Sequence, residues 1–169
     1  YDMSDSNIRG GSGRDFADST FHHTHLYQPE SYYMDEAKWY KEHTAEELSR
    51  VLFVESDVDY TIHHSLPIVD FWEDGMVATE KGRQMKELTP HRVSLYEVVN
   101  PLSDGCMEHM EWAVNELGAN GIKLYPARYR NGQDLRIALN DNDSARPVLE
   151  KAAELDVDTV AVHKSLPIG

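Results

Sequence analysis

A single cysteine in 169 residues rules out an intrachain disulfide framework. Cys106 stands in an apolar-patterned stretch, so it reads as a small core residue rather than a nucleophile, and a lone thiol suits a reducing compartment. Basic residues are scarce too: 16 Lys and Arg face 30 Asp and Glu, a formal net charge of -14. A surface of that sign repels nucleic-acid backbones and anionic membranes, so neither is expected as a partner. No apolar run approaches the ~20 residues of a membrane span. The first residues also lack the basic-then-apolar layout of a secretory signal. A cytoplasmic location is the expectation.

What is present suits a globular chain with one real core: 40% of residues are hydrophobic and 27% charged. Residues 1–17 are polar and glycine-rich and read as a flexible arm, with the domain proper over 18–169. Four amphipathic helices follow. Thr44 opens the first, with Glu47 at capping-box spacing and Leu48, Val51 and Leu52 on one face. A second carries Met76, Val77, Met85 and Leu88 and stops before Pro90. A third buries Met107, Met110, Val114 and Leu117 and ends at Gly118. The fourth buries Val148, Leu149, Ala152 and Leu155.

Short runs between the helices suit strands covered on both faces: VDYTIHH (58–64), RVSLYEVVNP (92–101), GIKLYP (121–126) and DTVAVHK (158–164). With FHHTHL (21–26) read as a first strand end, the chain holds about five βα units. Strands alternating with helices imply a parallel sheet. The fold class is therefore α/β, either a five-stranded open sheet or the N-terminal part of a TIM-type (β/α)₈ barrel. A barrel of about 250 residues would leave this pattern incomplete. HHSLPI (63–68) and HKSLPI (163–168) read as two similar loops.

The histidines carry the chemical question. On an extended segment residues i and i+2 share a face, so His23 and His25 can converge on one ion while His22 points away. Imidazole is a common ligand of zinc and related metals, and a catalytic zinc needs a third protein ligand. His163, ending the last strand, is the candidate for it, because the carboxyl ends of parallel strands form the site. A polar turn is the plainer reading of the triplet. His63 and His64 end another strand, and one of them could face the same cavity as a proton carrier or substrate contact. His43, His91 and His109 read as surface residues. Lys123, in an apolar strand, must reach the site or pair with a carboxylate, and Glu97 poses the same problem one strand earlier. An ion pair between the two answers both. Tyr125, Arg128 and Arg130 follow that strand and are candidates to bind an aromatic or carboxylated substrate.

FHHTH, VVNP, GANGIKLYP and VDTVAVH, in that order, resemble the amidohydrolase superfamily. The nearest branch is the amidohydrolase-related metal-dependent hydrolases that include aminocarboxymuconate-semialdehyde decarboxylase-like enzymes. The resemblance implies a (β/α)₈ barrel holding a divalent metal, commonly zinc. It carries the strand-one ligands onto His23 and His25 and the strand-five ligand onto His163. The acidic residue often found two positions before the first ligand is Phe21 here. Lys123 falls on the strand where some members carry a bridging lysine, a role not assigned in a branch that mostly holds one metal.

The function so implied is hydrolysis by a metal-activated water attacking a carbonyl or related bond of a small organic substrate. Decarboxylation is the alternative, with His63, His64 and Lys123 as catalytic candidates. A non-catalytic α/β subunit, or a piece completed by further chain or by another copy, is the reading from another class. A homo-oligomer or a longer chain is the expected partner arrangement.

Overall fold

The computed structural model describes residues 1–130 and 133–163, with the side chains of 127–135 outside the described part. The described elements run α1 (Gly10–His25), a 3₁₀ turn (Glu30–Tyr32), α2 (Glu36–Trp39), α3 (Ala45–Phe53), β1 (Thr61–His64), α4 (Thr79–Leu88), β2 (Val93–Val99), α5 (Cys106–Asn115), β3 (Gly121–Leu124), β4 (Ala127–Arg130), β5 (Gln133–Arg136), α6 (Ala145–Glu154) and β6 (Val160–Val162). They divide into two compact units, Tyr1–Asp59 with Ser65–Pro90, and Tyr60–His64 with His91–Gly169.

The first unit corrects two expectations. FHHTH is the last turn of helix α1, not a strand. Gly13, Ala17 and Phe21 recur every four residues and are its buried positions, a helical stripe that the flanking glycines disguised. Gly13 is required by contact: a Cβ there would lie 2.6 Å from the Phe71 carbonyl oxygen. The lead-in over 1–17 is packed rather than free. Met3 is buried with Ala17, Phe21, Trp39, Trp72 and Met76. Asn7, also buried, donates from Nδ2 to the carbonyls of Asp2 (3.0 Å) and Gly75 (3.1 Å) and accepts from the Asp74 amide.

Helix α3 starts where the cap places it, with the Glu47 amide donating to Thr44 Oγ1 at 3.2 Å. The Glu47 carboxylate turns instead to Lys41 (2.7 Å) and to His43 Nδ1 (3.3 Å), so His43 lies against a carboxylate rather than standing as a bare surface ring. Helix α4 begins later than its apolar pattern suggests. Gly75 at φ 81° turns the chain and Leu66 bridges Val77, which holds residues 74–78 out of the helix.

The second unit is a four-stranded parallel sheet in the order β1-β2-β3-β6. A separate antiparallel hairpin pairs β4 with β5, inserted between β3 and α6; the sequence pattern had not marked it. The parallel sheet accords with part of a (β/α) barrel. In β2 the burial alternates strictly, with Val93, Leu95, Glu97 and Val99 buried and Ser94, Tyr96 and Val98 half-buried. One face of the sheet is thus more deeply covered than the other, where the sequence suggested equal cover. The buried side packs Val99, Ile122 and Leu124 against Cys106 and Met110 of α5 and Val148 and Ala152 of α6. Gly118, at φ 72°, turns the chain after α5 as expected. Burial raises the Cys106 thiol above its ordinary value, with Glu108 adding to the effect, which fits a core residue and not a nucleophile.

Candidate functional site

Cα partners in parallel strands present their side chains on the same face, so the register sorts the candidates. His64 aligns with Tyr96, Tyr96 with Gly121, Val98 with Lys123, and Lys123 with Ala161. Alternation continues this half-buried face to Tyr125 and His163, one residue beyond the ends of β3 and β6. His63 aligns with Leu95, on the face that α5 covers. Of the three catalytic candidates, His64 and Lys123 therefore share the open face and His63 does not.

The contacts on that face form a row of rings. Tyr125 and His163 lie with centroids 5.1 Å apart, and the His163 amide donates to the Leu124 carbonyl at 2.9 Å. The Lys123 ammonium stands 5.3 Å from the centre of the Tyr125 ring. A cation over a phenol face gains about 0.5–1 kcal/mol at such a site, part of what it loses by leaving water. Tyr96 meets His64 edge to face at 5.2 Å. Its ring also lies over Gly121, where an added Cβ would come within 2.8 Å of it. The missing side chain of Gly121 is what lets that ring lie flat on the sheet.

Burial first, and the nearby Lys123 ammonium second, hold His64 below its ordinary value, so its imidazole is neutral at pH 7. Its Nδ1 is buried with no hydrogen-bond partner among the described residues. A neutral ring with an uncommitted nitrogen can accept or relay a proton.

The expected Glu97–Lys123 ion pair is not formed, because the two side chains lie on opposite faces. Glu97, 7% exposed, points to α5 and meets His109 Nε2 at 3.2 Å. His109, read as a surface residue, is thereby raised above its ordinary value, the hydrogen bond that it donates to the Glu97 carboxylate outweighing burial. Lys123 projects from the other side.

Of the expected metal ligands, His23 and His25 do not converge as an extended segment would place them, because both lie on helix α1. On a helix, residues two apart are separated by about 200° around the axis, so His23 and His25 do not share a face. The His25 ring is already engaged: its Nε2 accepts from the Met34 amide at 3.1 Å, and its centroid lies 4.4 Å from Phe21 and 4.6 Å from Tyr33. A nitrogen accepting that bond has no lone pair left for an ion. His23 rests edge-on against Tyr27. Among the described residues no group of three or more His, Cys, Asp or Glu is placed to hold a metal. Three imidazoles in a last helical turn are a familiar helix-end pattern, since cationic or polar groups suit the carbonyl end of the dipole. That signal, with the Gly13–Ala17–Phe21 stripe, was the one to weigh against strand alternation.

Arg128 and Arg130 sit on β4, but their side chains lie outside the described part, as do residues 164–169 of the second SLPI loop. No helix among the described residues is long and apolar enough to cross a membrane.

No protein-family profile and no curated protein sequence matches the chain. Solved structures do. 4-Oxalomesaconate hydratase from Rhodopseudomonas palustris is similar at 17% identity and a TM-score of 0.51, over 91% of this chain and 47% of that one. 2,6-Dihydroxybenzoate decarboxylase from Rhizobium is similar at 20% identity and a TM-score of 0.44, over 53% of this chain and 28% of that one. The likeness to the hydratase is one of fold. The chain spans less than half the length of either structure.

Proposed function

We propose that this chain supplies part of a (β/α) barrel enzyme of the amidohydrolase type, acting on a small organic substrate at the carboxyl ends of β1, β2, β3 and β6. The observation that carries this reading is the shared open face of that parallel sheet, on which the register gathers His64, Tyr96, Lys123, Tyr125 and His163. The ordered motifs of the sequence and the fold likeness to the hydratase support it. Further chain, or another copy, would complete the barrel.

In the hydrolytic form of the proposal a water attacks a carbonyl. His64, neutral at pH 7, takes or returns the proton, Lys123 faces developing negative charge, and the Tyr96 and Tyr125 rings hold a planar substrate against the sheet. The divalent metal of the resemblance supplies no step here, because its expected ligands on α1 diverge. Decarboxylation is the second reading. It is favoured by one feature: among the described strand residues of that face there is no carboxylate to serve as a hydrolytic base.

The test is turnover of a panel of small esters, amides, lactones and aromatic or conjugated carboxylates. Oxygen-18 from water in the product marks hydrolysis, and released carbon dioxide marks decarboxylation. His64→Gln should lower kcat about 10²–10⁴-fold with a folded chain, the usual range for a lost acid–base group. No turnover in either assay, by protein whose elemental analysis shows a full metal complement or after metal is resupplied, would remove the enzymatic reading.

A further inference from the structure

The most unusual charge in the second unit is Lys123. In a chain with 30 acidic residues, a lysine in a buried strand would be expected to find one of them. Instead it is half-buried, on the face opposite Glu97, over a phenol ring, and no carboxylate among the described residues pairs with it. The described strand residues of its face are Ile62, His64, Ser94, Tyr96, Val98, Gly121, Ala161 and, past the strand ends, Tyr125 and His163. None is acidic.

His64 lies on the same face, two strands away across β2, close enough to respond to the Lys123 charge. Two groups that repel each other's protons become mutually compatible when an anion sits between them. Tyr96 spans the intervening strand, with one edge on His64 and its ring over Gly121. The ground between the two nitrogen-bearing side chains is therefore formed by the Tyr96 ring beside His64 and by Val98 beside Lys123. Beyond Lys123, Tyr125 fixes the ammonium by its ring face.

We propose that Lys123 and His64 form a subsite for an oxyanion, a carboxylate or a phosphate, laid over the Tyr96 ring on the open face of the β1-β2-β3-β6 sheet. Lys123 acts as the charge partner. His64 donates through Nε2, since Nδ1 is buried. Tyr125 is a positioning residue that keeps the ammonium off the sheet and turned toward the anion. Charge complementarity selects the occupant: in a chain of net charge -14, an ammonium with no carboxylate among the described strand residues of its face, beside an imidazole donor, is what an anionic group would find. Naming that anion part of a substrate rests on the function proposed above; the binding itself does not.

The probes are sodium phosphate and sodium acetate, each added at constant chloride-balanced ionic strength to the protein after chelator treatment. The His64 and Tyr125 ring resonances and the Lys123 side-chain resonances report. Saturable shifts of all three are expected, and the tighter of the two salts identifies the source of the oxyanion. Lys123→Gln should weaken binding about tenfold or more, and Lys123→Arg should restore it to within a few-fold. If Lys123→Gln fails to fold, His64→Asn gives the same reading from the other partner.

Shifts that never saturate, or undiminished affinity in folded Lys123→Gln, would overturn the subsite. Binding seen only before chelation would also overturn it, because the anion would then be sitting on an ion. That last result leaves the enzymatic reading intact. Anion binding in a protein with no turnover keeps the subsite and removes the enzyme.

Discussion

Glu97 and His109 show how one buried carboxylate sets the behaviour of its surroundings. A carboxylate 7% exposed must be met by a donor, and His109 on α5 meets it. The pair raises His109 in the folded chain, so its contribution to stability is complete below the ordinary value of 6.5 and fades as pH climbs through the raised folded value. The expected size is under about 1 kcal/mol, because the imidazole is partly in water. His64 works with the opposite sign: its lowered value makes the folded unit less stable as pH falls below 6.5. The two are separated by subtraction. Denaturant melts of wild type and His109→Gln, compared from pH 5.5 to about 8.5, should show a stability difference that shrinks as pH rises. A difference constant with pH would remove the ion pair as its source. At this scale the sequence was half legible. Lys123 and His64 stood out because a cation in an apolar strand and an imidazole at a strand end each need an explanation. Their separation from Glu97 and His63 did not, because facing depends on register, which no local pattern states.

Elements were legible where periodicity was clean. β2, β3 and β6 fall within the runs marked for them, and α3, α5 and α6 within their amphipathic patterns. Helix α1 was the failure. Its glycines carry low helix propensity and its histidine triplet invited an alternating reading, whereas tertiary packing of Gly13, Ala17 and Phe21 decides the outcome. The β4–β5 hairpin was missed because its residues, ARYR and QDLR, are too polar for an apolar strand signal. The contact at Gly13 supplies a test. Gly13→Val places branched carbons where the Phe71 carbonyl oxygen already crowds a single Cβ at 2.6 Å. Overpacking of that kind costs about 1–3 kcal/mol, so thermal unfolding should move down despite the better helix propensity of the new residue. An unchanged or higher midpoint would show that α1 is held elsewhere.

For the whole molecule, the reading of strands alternating with helices was enough to give the parallel sheet of an α/β architecture, and there is a fold likeness to 4-oxalomesaconate hydratase beside it. The division into two units was not foreseen, since the first unit draws residues from either side of β1. A formal charge of -14 acts on all of it at once. Like charges on a compact body oppose folding, and salt with a Debye length of about 8–10 Å screens them. Raising sodium chloride from about 10 to 150 mM should therefore raise the melting temperature, with the larger gain at pH 8 than at pH 5, where carboxylates begin to take up protons. A flat response would mean that the ion pairs of α1, α3 and α4 already offset the repulsion.

The placing of Lys123 between Ile122 and Leu124 has a consequence for assembly of the sheet itself. If β3 slipped by one residue against β2, the ammonium would be driven among Met110, Val148 and Ala152, while two aliphatic side chains would turn outward. That misalignment is far costlier than the same slip in an all-aliphatic strand. The residue best placed to greet a ligand thus also proofreads the pairing of its own strand.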